Sequence, residues 1–360
     1  MAKKLLSKQI PEVGRRLTKF TGKEMIDRVG REVINGVVAS ILSGGNVRTL
    51  TEGLTQRRIV LSNASFFLTY LKGLETFEDF EENIDNIVTN ELLENKLKAE
   101  EKIFLQWFLG LTGKSIQNVL RSNPEEVENH LKEFSNRITS ASKELTEEFG
   151  ELNTAVSISE NNYLLKWPSI LRLFYGIGTQ TLALRGSEKS MYGKLFEKLI
   201  LGAVLTLLGF EQIDPEKSSK TNKVFWLSQR KNKRESDATI LSKPGVGARF
   251  DIGFIGPGNT EISLDKVSRF EREMDHGRQL HYMSTIILVD RIGEGSRITD
   301  MASEIDGHIV QMSMTYWVKE VAEILQEKVG HKHPILKMSG EETLDYIEKE
   351  MENIDLKNFM

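Results

Sequence analysis

The chain has 360 residues, enough for two domains or one large one, with 39% hydrophobic and 28% charged residues and a formal net charge of −4. That balance suits a globular protein and excludes a polycation that would coat nucleic acid, so any DNA contact must come from a local basic patch. There is no cysteine, which excludes disulfides and thiolate metal sites and leaves oxygen and histidine as metal ligands.

The basic amino terminus, MAKKLLSKQIPEVGRR, has no continuous apolar core and no small-residue cleavage site, so it does not read as a signal peptide. The longest apolar run, Leu199 to Leu208, is too short to span a bilayer. These features, with the lack of cysteine, predict a cytoplasmic protein with no membrane association.

From Gly22 to Leu184 the pattern is helical. Met25, Ile26, Val29, Val33, Ile34, Val37, Val38 and Ile41 recur at helical spacing until Ser43-Gly44-Gly45 stops the run. Ile59 to Leu74 carries an apolar face of Leu61, Phe66, Phe67, Tyr70 and Leu71, and Ile103 to Leu111 is a short aromatic segment. Pro124-Glu125-Glu126 opens a helix that runs to Phe149, with proline in the first turn and acids at the positive end of its dipole. Arg48, Arg57 and Arg58 flank glycine-rich turns and are candidate phosphate contacts, although solvated surface arginines are commoner.

After Trp167-Pro168 and Gly176 to Gly178 the character changes. Ser187 is placed to cap a helix with the stripe Met191, Leu195, Leu199, Val204, Leu205 and Leu208, ending at Gly209. Strand signals follow: VFWLS, DATIL, RFDIGFI, TEISL, STIILVD and HIVQMSM, with a polar helical stretch over Phe270 to Tyr282, a helix from Ile298, and another over Tyr316 to Val329. The charged tail after Pro334 reads as a helix.

Ala248 to Arg272 holds the chemistry. It reads as two strands joined at Gly256-Pro257-Gly258-Asn259, with Asp251 on the first and Glu261 and Lys266 on the second. Folding about that turn is expected to set Asp251 opposite Leu264 and Asp265, so that Asp251, Ser263 and Asp265 share one sheet edge with Lys266 at its end. Glu197, at the margin of the Leu195–Leu199 stripe, pairs with Lys194 or Lys198, or else reaches a metal across from Asp251. Oxygen ligands on such a platform suit Mg2+, with Lys266 placed to orient an attacking water. Asp237, at the head of the preceding strand, competes with Asp251 and ranks below it. His276 and His281 read as surface residues.

In order, the helix bearing Glu197, the Asp251 strand and the returning strand resemble the PD-(D/E)xK nuclease superfamily. Lys266 followed by Arg269-Phe270-Glu271-Arg272 resembles the lysine then Arg-x-Asp/Glu-Arg signature of type II restriction endonucleases that cut sites with a CCGG core. BsaWI-like enzymes, which carry a helical domain ahead of the nuclease domain, are the comparison. The resemblance covers Gly186 to Val318. It implies an α+β protein: an all-helical domain over 1–185, a restriction-endonuclease-like α/β domain with a central mixed five-stranded sheet over 186–335, and a helical tail over 336–360.

The resemblance further implies a Mg2+-dependent endonuclease that binds double-stranded DNA as a homodimer or higher oligomer. Metal would be held by Asp251, Glu197 and Glu261, with Lys266 and the Gln279 position completing the catalytic set. Three departures stand out. Phe250 occupies the usual proline position, Lys266 lies one residue closer to the arginines than in the family pattern, and Gln279 stands where a metal-binding glutamate is relocated. Glu261, Glu273 and Asp275 therefore remain alternatives.

Glutamate accepts from cytosine N4 and arginine donates twice to guanine, so Arg269, Glu271 and Arg272 are suited to reading C·G pairs. Arg230, Lys231, Lys233 and Arg234, with Lys217, Lys220 and Lys223 upstream, are suited to phosphate contacts. Two rivals fit the same features: a structure-specific repair or junction nuclease, and a non-catalytic DNA-binding protein with a decayed nuclease fold.

Overall fold

The computed structural model describes residues 4–94, 96–116, 124–228, 236–253, 282–290 and 307–360. The chain forms two compact units, one of Met1–Thr21 with Leu54–Ser190, the other of Gly22–Gly53 with Met191–Met360. Helices α1 (Glu12–Thr18), α5 (Phe80–Glu94), α6 (Ala99–Phe108) and α7 (Pro124–Phe149) lie in the first, and α2 (Gly22–Val29) and α3 (Arg31–Leu42) in the second. Two long helices, α4 (Val47–Thr76) and α8 (Trp167–Leu207), contribute residues to both.

The helical unit is built on aromatic burial. Phe66 of α4 stacks on Phe108 with ring centroids 4.1 Å apart, and Phe104 packs on Trp107 at 5.4 Å. Leu6, Tyr70, Ile84, Val88 and Leu173 close around them. Burial of this many large side chains is the dominant stabilising term. A bidentate ion pair ties α8 to α5: Arg172 donates to both carboxylate oxygens of Asp85 at 2.7 and 2.9 Å.

Glycines 176 to 178 read in sequence as a break, with a new helix capped by Ser187, yet α8 is continuous from Trp167 to Leu207. The reason is packing. A Cβ on Gly176 would lie 2.3 Å from the Phe66 ring, so the glycine admits an aromatic neighbour instead of ending the helix. The unit is also not purely helical, since β1 (Thr154–Ile158) and β2 (Asn161–Leu165) form an antiparallel hairpin. Its two-residue turn places Ser159 at a φ of 54°.

Among the described residues the second unit holds a six-stranded sheet in the order β3-β4-β5-β6-β7-β8. The strands are β3 (Glu211–Gln212), β4 (Val224–Leu227), β5 (Ala238–Lys243), β6 (Val246–Gly253), β7 (Tyr282–Val289) and β8 (Gly307–Gln311). β4, β5 and β6 form an antiparallel meander, and β6, β7 and β8 run parallel. The expected five strands are thus six. β3, which no strand signal marked, pairs parallel to β4 over only two residues, too few to show any alternation, and the expected TEISL strand lies outside the described residues.

Burial follows this layout. Ile286 to Val289 is buried at every position, as a parallel strand covered on both faces should be. The second half of α8 buries Leu195, Phe196, Leu199, Ile200, Val204 and Leu205. Trp317 of α9 (Trp317–Val329) is fully buried and donates its indole N–H to the Ile41 carbonyl at 2.9 Å. The expected tail helix is α10 (Gly340–Asn353), which has a Ser339–Glu342 capping box and a buried Ile347.

The carboxyl end of α8 is closed by two side chains from later in the chain. His331 Nε2 donates to the Leu208 carbonyl at 2.8 Å, and the Tyr346 hydroxyl donates to that of Leu207 at 3.2 Å. Burial pushes both nearby histidines below the ordinary range, His333 to about 4 with the charges of His331 and Lys223 adding to the shift. A depressed folded-state value means the unfolded chain takes up the proton first, so their stabilisation is complete above about pH 6.5 and is lost as pH falls toward 4. We predict that urea stability falls more between pH 7.5 and pH 5 in the wild type than in a His331→Gln/His333→Phe variant, with His333 alone accounting for roughly 2 kcal/mol. Equal losses in the two proteins would show that these histidines are not responsible.

Candidate active site

Asp251 lies on β6, in the middle of the sheet and 7% exposed. Both flanks of its strand are taken. Asp251 is the register partner of Ile287 on the parallel β7, while β5 pairs antiparallel on the other side up to Ala238↔Phe250. Among the described residues β5 and β7 are the neighbours of β6, and the expected returning strand with Leu264 and Asp265 lies outside the described residues.

One step beyond the last β5–β6 pair stands Asp237. Continuing the register sets Asp237 opposite Asp251, where side chains of an antiparallel pair share a face. Its position is fixed by two bonds: Asp237 Oδ2 accepts the Ile252 N–H at 3.0 Å, and its carbonyl accepts the Ser228 N–H at 3.0 Å. Asp237, ranked second on sequence, is therefore the acid the structure brings beside Asp251.

A third acid was not singled out in the sequence. Asp290 directly follows β7, is 5% exposed, and accepts the Val47 N–H at the start of α4 through Oδ1 at 3.3 Å. Its own N–H reaches the Gly253 carbonyl at 3.4 Å, two residues past Asp251. The signal was an aspartate closing the apolar run STIILV, which reads as a strand end and no more. Asp290→Ala orphans a buried helix-start N–H, so it should destabilise the protein by about 1–3 kcal/mol, whereas Asp290→Asn, which keeps an acceptor, should restore most of that. Equal melting temperatures for the wild type and the alanine variant would contradict the assignment.

Glu197 lies in the second half of α8, half-buried between the buried Phe196 and Leu199, in the same unit as Asp251. Among the described residues no three acidic or histidine side chains gather closely enough to hold a metal ion. Lys266, Glu261, Gln279, Glu273 and Asp275 lie outside the described residues, as do the base-reading candidates Arg269, Glu271 and Arg272 and the basic loop of Arg230, Lys231, Lys233 and Arg234. Of that upstream lysine group, Lys217 pairs with Asp214 at 2.9 Å and Lys220 with Glu211 at 2.6 Å. Of the three arginines near glycine turns, Arg58 is buried, donating to the Leu17 and Thr18 carbonyls with its guanidinium 4.3 Å over the Phe20 ring, so it is a core residue.

Sequence relationships decide which class of protein carries this sheet. The family model for the CfrBI restriction endonuclease matches residues 31–297. The chain belongs to the CfrBI restriction endonuclease family. The type II restriction enzyme CfrBI of Citrobacter freundii is 38% identical over 355 residues, covering 96% of this chain and 95% of that enzyme. No solved structure matches the chain.

Membership of the CfrBI family makes this chain a nuclease of the site-specific, DNA-cutting kind, and the family match covers both Asp237 and Asp251. It removes the decayed-fold and repair-nuclease readings as the simplest accounts. No helix among the described residues is long and apolar enough to cross a membrane.

Proposed function

We propose that this protein is a Mg2+-dependent type II restriction endonuclease of the PD-(D/E)xK superfamily, acting as a homodimer or higher oligomer in the cytoplasm on a palindromic site with a CCGG core. The observation that carries the catalytic part is that Asp237 stands one residue beyond the Ala238↔Phe250 pair and accepts the Ile252 N–H, next to Asp251 on the adjoining strand. An antiparallel meander continued by parallel strands, with a helix ahead of it, supports the superfamily reading.

The donor set fits the ion. Carboxylate oxygens are hard ligands, and Mg2+ characteristically takes only one or two of them, completing its shell with water and phosphate oxygens. Asp237 and Asp251 would hold it, with Glu197, Glu261 or the Gln279 position contributing from further out. When bound, such an ion neutralises charge at the scissile phosphate and acidifies the attacking water. Lys266 is assigned to orient that water.

Arg269, Glu271 and Arg272 are assigned to base readout. Arg230, Lys231, Lys233 and Arg234 are assigned to the DNA backbone, where each phosphate neutralised steepens the dependence of binding on salt. A palindrome is matched by two-fold protein symmetry, which is the reason for a dimer.

Digestion of mixed-sequence plasmid DNA by the purified full chain tests the whole. Discrete fragments with Mg2+, none with EDTA, and ends that map to CCGG-containing palindromes are the expected result. Diffuse nicking would overturn site specificity, and discrete ends at sites lacking CCGG would overturn the core sequence alone.

A further inference from the structure

We propose that the outward face of α8 in the helical unit seats a second copy of this chain, the two helices crossing antiparallel about Gly178. The inference rests on the dimeric reading above and names its surface.

From Trp167 to Leu184 the helix carries a single charged residue, Arg172. That one turns inward to Asp85. The outer side is therefore uncharged for about five turns. Its residues, Trp167, Leu171, Phe174, Gly178 and Leu182, recur at intervals of four, three, four and four, the spacing of a helix–helix seam. Phe174 is 67% exposed, Leu182 73% and Tyr175 43%. The opposite side of the same helix is already buried through Leu173, Gly176, Gln180 and Leu184. Neighbouring α7 shows how an ordinary exposed face looks here: it is covered by the pairs Glu128–Lys132, Glu133–Arg137 and Lys143–Glu147.

The three exposed large side chains leave roughly 350 Å² of mostly apolar surface in water. That matches the largest patch found on a typical monomer and is nearly half of the ~800 Å² each partner contributes to a standard interface. DNA is a poor occupant, because no cation stands on this face before Arg185. A neutral apolar strip is complemented by another neutral apolar strip, and this one complements itself. Phe174 and Leu182 lie four residues either side of Gly178, so a two-fold crossing there sets Phe174 of one protomer against Leu182 of its partner, twice. Nothing lies within 4 Å of a Cβ built on Gly178, so the crossing point is open and small enough for close approach.

The cysteine-free sequence makes the test direct. Gly178→Cys places the only thiols at the crossing, and mild oxidation of the full chain is expected to give a disulfide-linked dimer on a non-reducing gel. Glu128→Cys on exposed α7 is the control and is expected to stay monomeric on that gel. In sedimentation without oxidant, Leu182→Glu should weaken self-association at least about thirtyfold, the effect of losing a central interface anchor. A wild type that sediments as a monomer at every concentration overturns the dimeric reading and this surface with it. A wild-type dimer that neither cross-links as the Gly178→Cys variant nor loosens with Leu182→Glu overturns the surface and leaves the dimer standing.

Discussion

Replacing Asp251 by asparagine is expected to lower the single-turnover rate of DNA cleavage by about 10³-fold or more, with DNA affinity changed only a few-fold. The substitution keeps size and shape at a buried position in the middle of the sheet, so folding is preserved while the Asp251 side chain loses its charge. Asp237 sharpens the experiment. Its Oδ2 accepts the Ile252 N–H, a bond that an asparagine oxygen can also accept. If Asp237 only fixes the strand, Asp237→Asn cuts normally; if it holds metal, Asp237→Asn fails alongside Asp251→Asn. Normal cutting by Asp251→Asn would remove Asp251 from the site altogether.

The second large effect belongs to Arg272. A bidentate arginine–guanine contact is worth about 1–3 kcal/mol of discrimination, so Arg272→Ala should lose roughly 5- to 150-fold in cleavage at the preferred site relative to sites differing in one base. Competition between two duplexes in one tube reads that ratio without interference from overall activity. An unchanged ratio would return Arg269, Glu271 and Arg272 to the ordinary role of a charged helical face.

These two predictions draw on parts of the chain that were unequally legible. The strands VFWLS, DATIL, RFDIGFI, STIILVD and HIVQMSM were readable because short apolar runs between turn residues carry their own signal. What could not be read was their pairing. Nothing local in RFDIGFI announces that STIILVD pairs beside it, and the returning strand expected after the glycine-proline turn at 256–259 lies outside the described residues. The place of Asp237 was hidden for a related reason, since it stands one residue beyond a pair, Ala238↔Phe250, that only the fold defines.

Glycine misled in the opposite direction. Gly176 and Gly178 looked like a break ahead of a new helix, whereas Gly176 accommodates Phe66 within an unbroken helix and Gly178 leaves an open place on its outer face. Gly44 behaved as its composition suggested: it ends the α3 region at a φ of +91°, with the Thr315 Cα only 2.7 Å from where a Cβ would sit. A glycine signals absence of a side chain, and the sequence does not say whether conformation or contact requires that absence.

The central claim is that Asp251 and Asp237 together hold the divalent ion that cutting requires. Titration of Mn2+ into the protein bound to a short duplex with a non-hydrolysable scissile linkage, followed by electron paramagnetic resonance of the free ion, measures this without any cleavage step. Wild type should remove Mn2+ from solution at a site that Asp251→Asn and Asp237→Asn each weaken by at least about tenfold. Undiminished Mn2+ binding in the Asp251→Asn protein would contradict the account.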